Sequence, residues 1–197
     1  MYHKGELELI HNAIFNCGRP KMVLSLSPGE APLDHARHIR ENAQTWHVSA
    51  DFWDNWESLH HNFDLLNAWS PLIGPGSWPD ADMLPIGHIS MGGRPKGPDR
   101  QSKFTWPEHY TLMSLWLIAR SPLMIGGDLL TSSPESLRFL KNREVIEVNQ
   151  NSENNHQVFN HRNMAAWIAD VPSSKDKYIA LFNLGEQIVQ DTLRVRR

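Results

Sequence analysis

The sequence has little of what usually assigns a chain quickly. Cys17 is the single cysteine among 197 residues, so no internal disulfide framework exists. That fits a reducing compartment and equally a disulfide-free exported protein. No apolar run approaches the roughly 20 residues that a membrane-spanning helix needs. No charged-then-apolar leader opens the chain, which starts at once with a helical pattern, as a fragment would. No basic block occurs either. The 19 Lys and Arg are set against 22 Asp and Glu, a net charge of −3, so the electrostatic footprint of a nucleic-acid binder is missing. Charged residues are 21% and hydrophobic ones 40%, ordinary globular values that argue against disorder.

What the chain does have is periodicity. Leu7, Ile10, Ile14 and Phe15 recur at helical spacing, and Asn16, Cys17 and Gly18 end that helix. "KMVLSL" reads as a buried strand, residues 33–44 as a surface helix with Ala36, Ile39 and Ala43 inward, and "WHVSAD" as a second strand. Trp56, Leu59, Phe63, Leu66 and Trp69 predict an amphipathic helix. "SPLIGPGSWPDAD" is a loop leading into a strand at "MLPIG", and residues 90–103 form a second loop. Thr105, Pro107 and Glu108 give a capping-box start to an apolar helix through Ala119. "PLMIGGDL" predicts a fourth strand, and Ser132, Pro134 and Glu135 open another helix. This alternation points to a parallel sheet covered by helices. From about Arg143, "QVFNHR", "MAAWIADV" and "KYIALFNL" have the texture of an antiparallel sheet. The expected domains are an α/β unit over 1–142 and a β unit over 143–197.

Sheets of this kind gather functional groups beyond the carboxyl ends of their strands. Ser25, Ser27 and Glu30 follow the first strand, and Asp51 and Asp54 the second; Asp80 and Asp82, framed by Trp78 and Met83, precede "MLPIG". Carboxylates on separate strand ends, with aromatic surfaces and no phosphate-cradling glycine loop, suit acid–base work on a hydroxyl-rich substrate. That is the minimal kit of a glycosidase. An aspartate after a strand is more often a turn or capping residue. Spacing alone gives Asp54 and Asp80 that structural role and leaves Asp51 and Asp82 open. The eight tryptophans suffice simply to fill a core. His35, His38, His60 and His61 fall on predicted solvated helix faces without metal-ligand spacing, so no metal or other cofactor is expected. Arg94, Lys96 and Arg100 read as a solvated loop.

Taken in order, "MVLSLSPG", "WHVSADFWDNW", "GPGSWPDADMLPIG", "LMSLWLIARSPLMIGGDL" and "LKNREVIEVNQ" resemble glycoside hydrolase family 27, the α-galactosidase and α-N-acetylgalactosaminidase family. The resemblance covers nearly the whole chain. It implies a (β/α)8 TIM-type barrel followed by an antiparallel β domain. This chain would then supply the second half of the barrel, strands 5–8, and the start of a β-sandwich. The implied activity is retaining hydrolysis of terminal α-galactosyl residues, with one aspartate as nucleophile and another as acid/base. The family's acid/base maps onto Asp51, with Phe52 and Trp53 offering low-dielectric surroundings that favour a protonated carboxyl. The sugar-contacting aspartate of the family's "DML" motif maps onto Asp82, beside Met83, with Trp78 and Asp80 in the same loop. Ser27 and Glu30 fall in the loop that reads the sugar's 2-position in relatives.

Two departures from the family pattern stand out. His47 occupies the position where the family usually has a sugar-binding arginine. The family's Lys-x-Asp nucleophile segment has no counterpart before Gly5. The chain alone is therefore expected to be nearly inactive, weakly stable, and prone to self-association through exposed barrel edges. Its substrate class stays open among α-galactosides, α-N-acetylgalactosaminides and β-L-arabinopyranosides. A non-catalytic carbohydrate-binding or pseudo-enzyme module is the alternative.

Overall fold

The periodic apolar residues of the first part fold into helices packed on a short parallel sheet. The structure is a computed structural model, and it describes residues 2–18, 22–27, 29–90 and 97–189. The predicted Arg94 and Lys96 lie outside the described residues. In chain order come α1 (Lys4–Asn16), β1 (Ser25–Leu26), a 3-10 turn (Leu33–His35), α2 (Ala36–Asn42), β2 (Thr45–His47) and α3 (Trp56–Trp69). A second 3-10 turn (Ser70–Leu72), β3 (Trp78–Asp80), β4 (His88–Ile89), β5 (Arg100–Gln101) and α4 (Trp106–Ile118) follow. The chain continues through α5 (Pro134–Phe139), α6 (Arg143–Asn151), β6 (Glu153–His161), β7 (Met164–Asp170) and β8 (Lys177–Asn183). Strands β1, β2 and β3 pair in parallel in that order, while β6, β7 and β8 form an antiparallel sheet.

Four tryptophans, Trp46, Trp69, Trp116 and Trp167, are fully buried, so core filling accounts for these. The two sheets share one core: Phe63 of α3 meets Phe182 of β8 edge to face at 4.9 Å. Helix α3 has the predicted inward face of Leu59, Phe63, Leu66 and Trp69. Its N-cap is Asn55, whose side chain accepts the Ser58 N–H. Helix α4 opens with the predicted capping box between Thr105 and Glu108.

Other local expectations are corrected. The strand expected at "MLPIG" lies earlier, at Trp78–Asp80, and Leu84 keeps only a parallel bridge to Ile125. Pro79 is tolerated because β3 is the last strand of the described parallel sheet, where a missing N–H breaks no ladder. The bridge is close: a Cβ on Gly127 would sit 2.1 Å from the Ile86 carbonyl oxygen. Helix α5 is capped by Ser133, not Ser132, whose hydroxyl turns to the Asp128 carbonyl. Helix α6 was not legible as a helix, and the antiparallel sheet begins after it, at Glu153. Arg120 donates to the carbonyls of Asn149, Gln150 and Ser152, fastening the carboxyl end of α6. Helix α1 buries Leu7 but leaves Ile10 and Phe15 exposed. It meets α2 through polar groups, with His38 bonded to Tyr2 and Glu8 instead of standing in solvent.

Arg100 is likewise not a solvated loop residue. It grips the buried Asp54 with two guanidinium N–H groups at 2.5 and 2.8 Å, and the Lys103 N–H completes the shell. Asp54 therefore has the structural role its spacing suggested, tying the β5 segment to the start of α3. Removing one partner leaves a buried charge uncompensated, so Arg100→Ala is expected to cost roughly 3 kcal/mol. Urea unfolding of the wild type and the variant measures it.

Candidate functional site

The parallel register builds the site. His47, the last residue of β2, pairs with Asp80, the last residue of β3. Ser27 follows β1 on the neighbouring strand end. Its hydroxyl lies 3.2 Å from His47 Nδ1, which occupies that ring nitrogen. The other nitrogen, Nε2, faces two carboxylates at 4.0 Å from Asp80 Oδ2 and 3.9 Å from Asp82 Oδ1. Both gaps exceed a direct hydrogen bond.

Asp82 is held from all sides. Its φ is +75°, a left-handed conformation that aspartate adopts more readily than most residues. Its Oδ1 accepts the Met83 N–H at 2.6 Å and its Oδ2 the Phe52 N–H at 2.7 Å. Its carbonyl accepts the Trp116 indole N–H at 2.9 Å. Its own N–H donates to Asp80 Oδ1 at 2.9 Å. One residue earlier, the Ala81 N–H donates to Ser121 Oγ.

Asp80 is 1% exposed. Burial pushes its carboxyl up to about 6, opposed by the Asp82 N–H and by His47 and reinforced by the Asp82 charge. Spacing alone made Asp80 a loop-shaping residue; the structure sets it at the centre of the cluster.

The remaining candidates scatter. Asp51 is exposed just beyond β2, in the same loop as the Phe52 N–H that holds Asp82. Phe52 itself turns inward against Trp116 at 5.0 Å and Phe104 at 6.2 Å. The expected low-dielectric wall from Phe52 around Asp51 is thus directed into the core instead. Met83 is half-buried, its sulfur in the space that a Gly126 Cβ would fill. Trp78 stands at the opposite, amino end of β3 with the Arg120 guanidinium 4.7 Å from its ring, so it is not brought to the cluster. Glu30 is exposed in the β1 loop. Sequence reasoning missed Ser121 and Trp116 as supports. Trp116 sits in an apolar helix and carries no signal beyond its single polar atom. Among the described residues no group of three or more His, Cys, Asp or Glu is placed to hold a metal ion.

Residues 8–151 match the family described as alpha galactosidase A. The chain belongs to the α-galactosidase family, glycoside hydrolase family 27. It is 29% identical to Alpha-galactosidase 2 of Arabidopsis thaliana over 184 residues, which is 92% of this chain and 42% of that relative. Human alpha-galactosidase A is 28% identical over 160 residues, 78% of this chain and 33% of its own length. Among solved structures, the GH27 β-L-arabinopyranosidase of Geobacillus stearothermophilus superposes with a TM-score of 0.90 at 45% identity, covering 94% of this chain and 42% of the enzyme. The chain thus spans less than half the length of these relatives. Its α/β fold is shared with the barrel glycosidases of the family.

Asp80 makes stability depend on pH. Its folded value of about 6 lies above the ordinary 3.8, so the neutral form is favoured by folding. That contribution is fully present below about pH 4 and is lost as the pH rises through about 6. The difference corresponds to on the order of 3 kcal/mol. Asp80→Asn, neutral at every pH, is expected to flatten the stability profile between these limits, as urea unfolding at stepped pH measures.

Proposed function

We propose that this chain carries the acid/base side of a retaining glycosidase acting on terminal α-galactosyl residues or closely similar pyranosides. In this assignment its α/β unit is the second half, strands 5–8, of a (β/α)8 barrel, and β6–β8 begin the following β-sandwich. The observation that carries the proposal is the Phe52 N–H bond to Asp82, which sets the exposed Asp51 in a loop fastened to the sugar-facing carboxylate. Asp51 donates a proton to the departing glycosidic oxygen and later takes one from the attacking water. Asp82, His47 and Met83 receive the sugar ring, with Ser27 orienting His47. Trp78, turned to Arg120, has no part in this assignment.

The second carboxylate of the pair comes from outside the described residues. A retaining pair stands about 5–5.5 Å apart and needs a free oxygen as nucleophile. Asp80 is buried, both Asp82 oxygens accept backbone N–H groups, and Asp54 is bound to Arg100. None of these three has an oxygen that is both exposed and unbonded.

The substrate class follows from the relatives. A variant of the Geobacillus enzyme is described in complex with arabinose. β-L-Arabinopyranosides and α-D-galactopyranosides present the same ring hydroxyl pattern and differ by one hydroxymethyl group. A cluster that grips ring hydroxyls accepts both, and discrimination lies with whatever meets that group.

Co-refolding the chain with the amino-terminal half of the Geobacillus relative tests the assignment. Hydrolysis of an aryl α-galactoside or β-L-arabinopyranoside is expected to appear in the complemented protein and to stay at background for the chain alone. Asp51→Asn should lower kcat by roughly 10²–10⁴-fold, and less for a dinitrophenyl leaving group that departs without a proton. Robust turnover by the chain alone, or an Asp51→Asn variant equal to wild type, contradicts the proposal.

A further inference from the structure

A second concave surface lies between α4 and α5 and shares no residue with the Asp82 cluster. Trp106 and Tyr110 of α4 form one wall. Glu135, Arg138 and Phe139 of α5, with Asn142 just beyond, form the other. The groove encloses about 360 Å³, within the roughly 300–1,000 Å³ of ligand sites.

Trp106 and Tyr110 stand four residues apart and so share one face of α4. Trp106 stacks on Phe139 with 5.7 Å between ring centroids and 17° between planes. Tyr110 meets the same ring edge-on at 4.9 Å. The three rings make one continuous apolar surface whose outer members stay open, Trp106 being 46% and Tyr110 64% exposed. Where packing is the role, as at Trp46 and Trp116, the ring is sealed.

The opposite wall is polar. Glu135, Arg138 and Asn142 are all exposed. Among the described residues Glu135 and Arg138 enter no ion pair. Asn142 precedes α6 without a side-chain capping bond. Their hydrogen-bonding groups are available to a ligand, and those groups select it. One carboxylate and one guanidinium cancel in charge, so the groove favours a neutral molecule. A carboxylate offers two acceptors, a guanidinium paired donors and an amide one of each, which suits neighbouring hydroxyls. An aromatic surface suits a ring face of C–H groups. A pyranose has both, C–H groups on its face and hydroxyls around its edge. A peptide strand would need an open sheet edge, whereas helices wall this groove.

We propose that the groove of Trp106, Tyr110 and Phe139 is a second, non-catalytic site for neutral pyranose sugars. The rings lie against the sugar face, and Glu135, Arg138 and Asn142 meet its hydroxyls. The start of α4 is fastened to the loop after β2, through the Lys103 N–H bond to Asp54 and the packing of Phe104 on Phe52. An oligosaccharide held in the groove therefore has its other end at a raised effective concentration near that loop. This consequence rests on the proposed function; sugar binding in the groove does not.

Titrating raffinose, a neutral trisaccharide with a terminal α-galactosyl residue, into the ¹⁵N-labelled chain tests the proposal. The Trp106 indole and the Tyr110, Arg138 and Phe139 amides are expected to shift with one saturation curve. Tyr110→Ala removes an exposed ring and is expected to weaken that curve roughly three- to tenfold. Tyr110→Phe, which keeps the ring, is expected to lie closer to wild type. Arg138→Ala, on the other wall, is expected to weaken binding several-fold independently of the rings. Groove resonances unmoved by raffinose, or curves unchanged in both alanine variants, overturn the proposal. Groove shifts that follow protein concentration and not sugar also overturn it, and assign the surface to a second copy of the chain. Saturable groove shifts with the Phe52, Asp82 and Met83 amides unmoved uphold this site and count against the Asp82 assignment.

Discussion

The hydrogen bond from the Phe52 N–H to the Asp82 carboxylate is the constraint from which the site takes its shape. It joins the loop after β2 to the loop after β3, so the exposed Asp51 and the clamped Asp82 have a fixed relation. The bond is possible because Phe52 is pinned from the core side by Trp116 and Phe104, which turns its backbone N–H outward. Trp116 serves both loops at once, packing on Phe52 and donating to the Asp82 carbonyl. Core packing and site geometry are here the same interaction.

The polar groups behind the site form a graded series. Asp54 is fully paired with Arg100 and serves structure alone. Asp82 is satisfied by backbone N–H groups and is half-buried. Asp80 is buried with a single strong donor and is pushed toward neutrality. Asp51 is exposed. Four carboxylates within one stretch of sheet thus have four environments, and their division of labour follows from burial and partners, not from residue type.

Much of this was legible in the sequence where a single local rule decides. The α3 periodicity and the Thr105–Glu108 box are such cases, and so is the placement of Asp51 and Asp54 after the second strand. The boundaries that failed needed tertiary information. "MLPIG" has strand composition, but the ladder goes to Trp78–Asp80 because that segment is in register with β2. Helix α6 is short, with Val145, Ile146 and Val148 among polar residues, and the arginine that fastens its end sits 29 positions or more away in the chain, at Arg120. Phe52 looked like a wall for Asp51 because neighbours in sequence look like neighbours in space. Asp51 and Phe52 lie in the irregular segment beyond β2, and Phe52 went to the core while Asp51 stayed exposed. Asp80 read as structural because nothing local shows that its carboxyl is sealed behind His47 and Asp82.

The account stands most directly on whether a pyranose engages the Asp82 loop. Titrating galactose, and separately L-arabinose, into the ¹⁵N-labelled chain and following amide and indole resonances decides it. The account predicts that the Phe52, Asp82 and Met83 amides and the Trp116 indole shift together with one saturation curve. Saturable shifts confined to other surfaces, such as the aromatic groove of Trp106, Tyr110 and Phe139, with these four resonances unmoved, would contradict it.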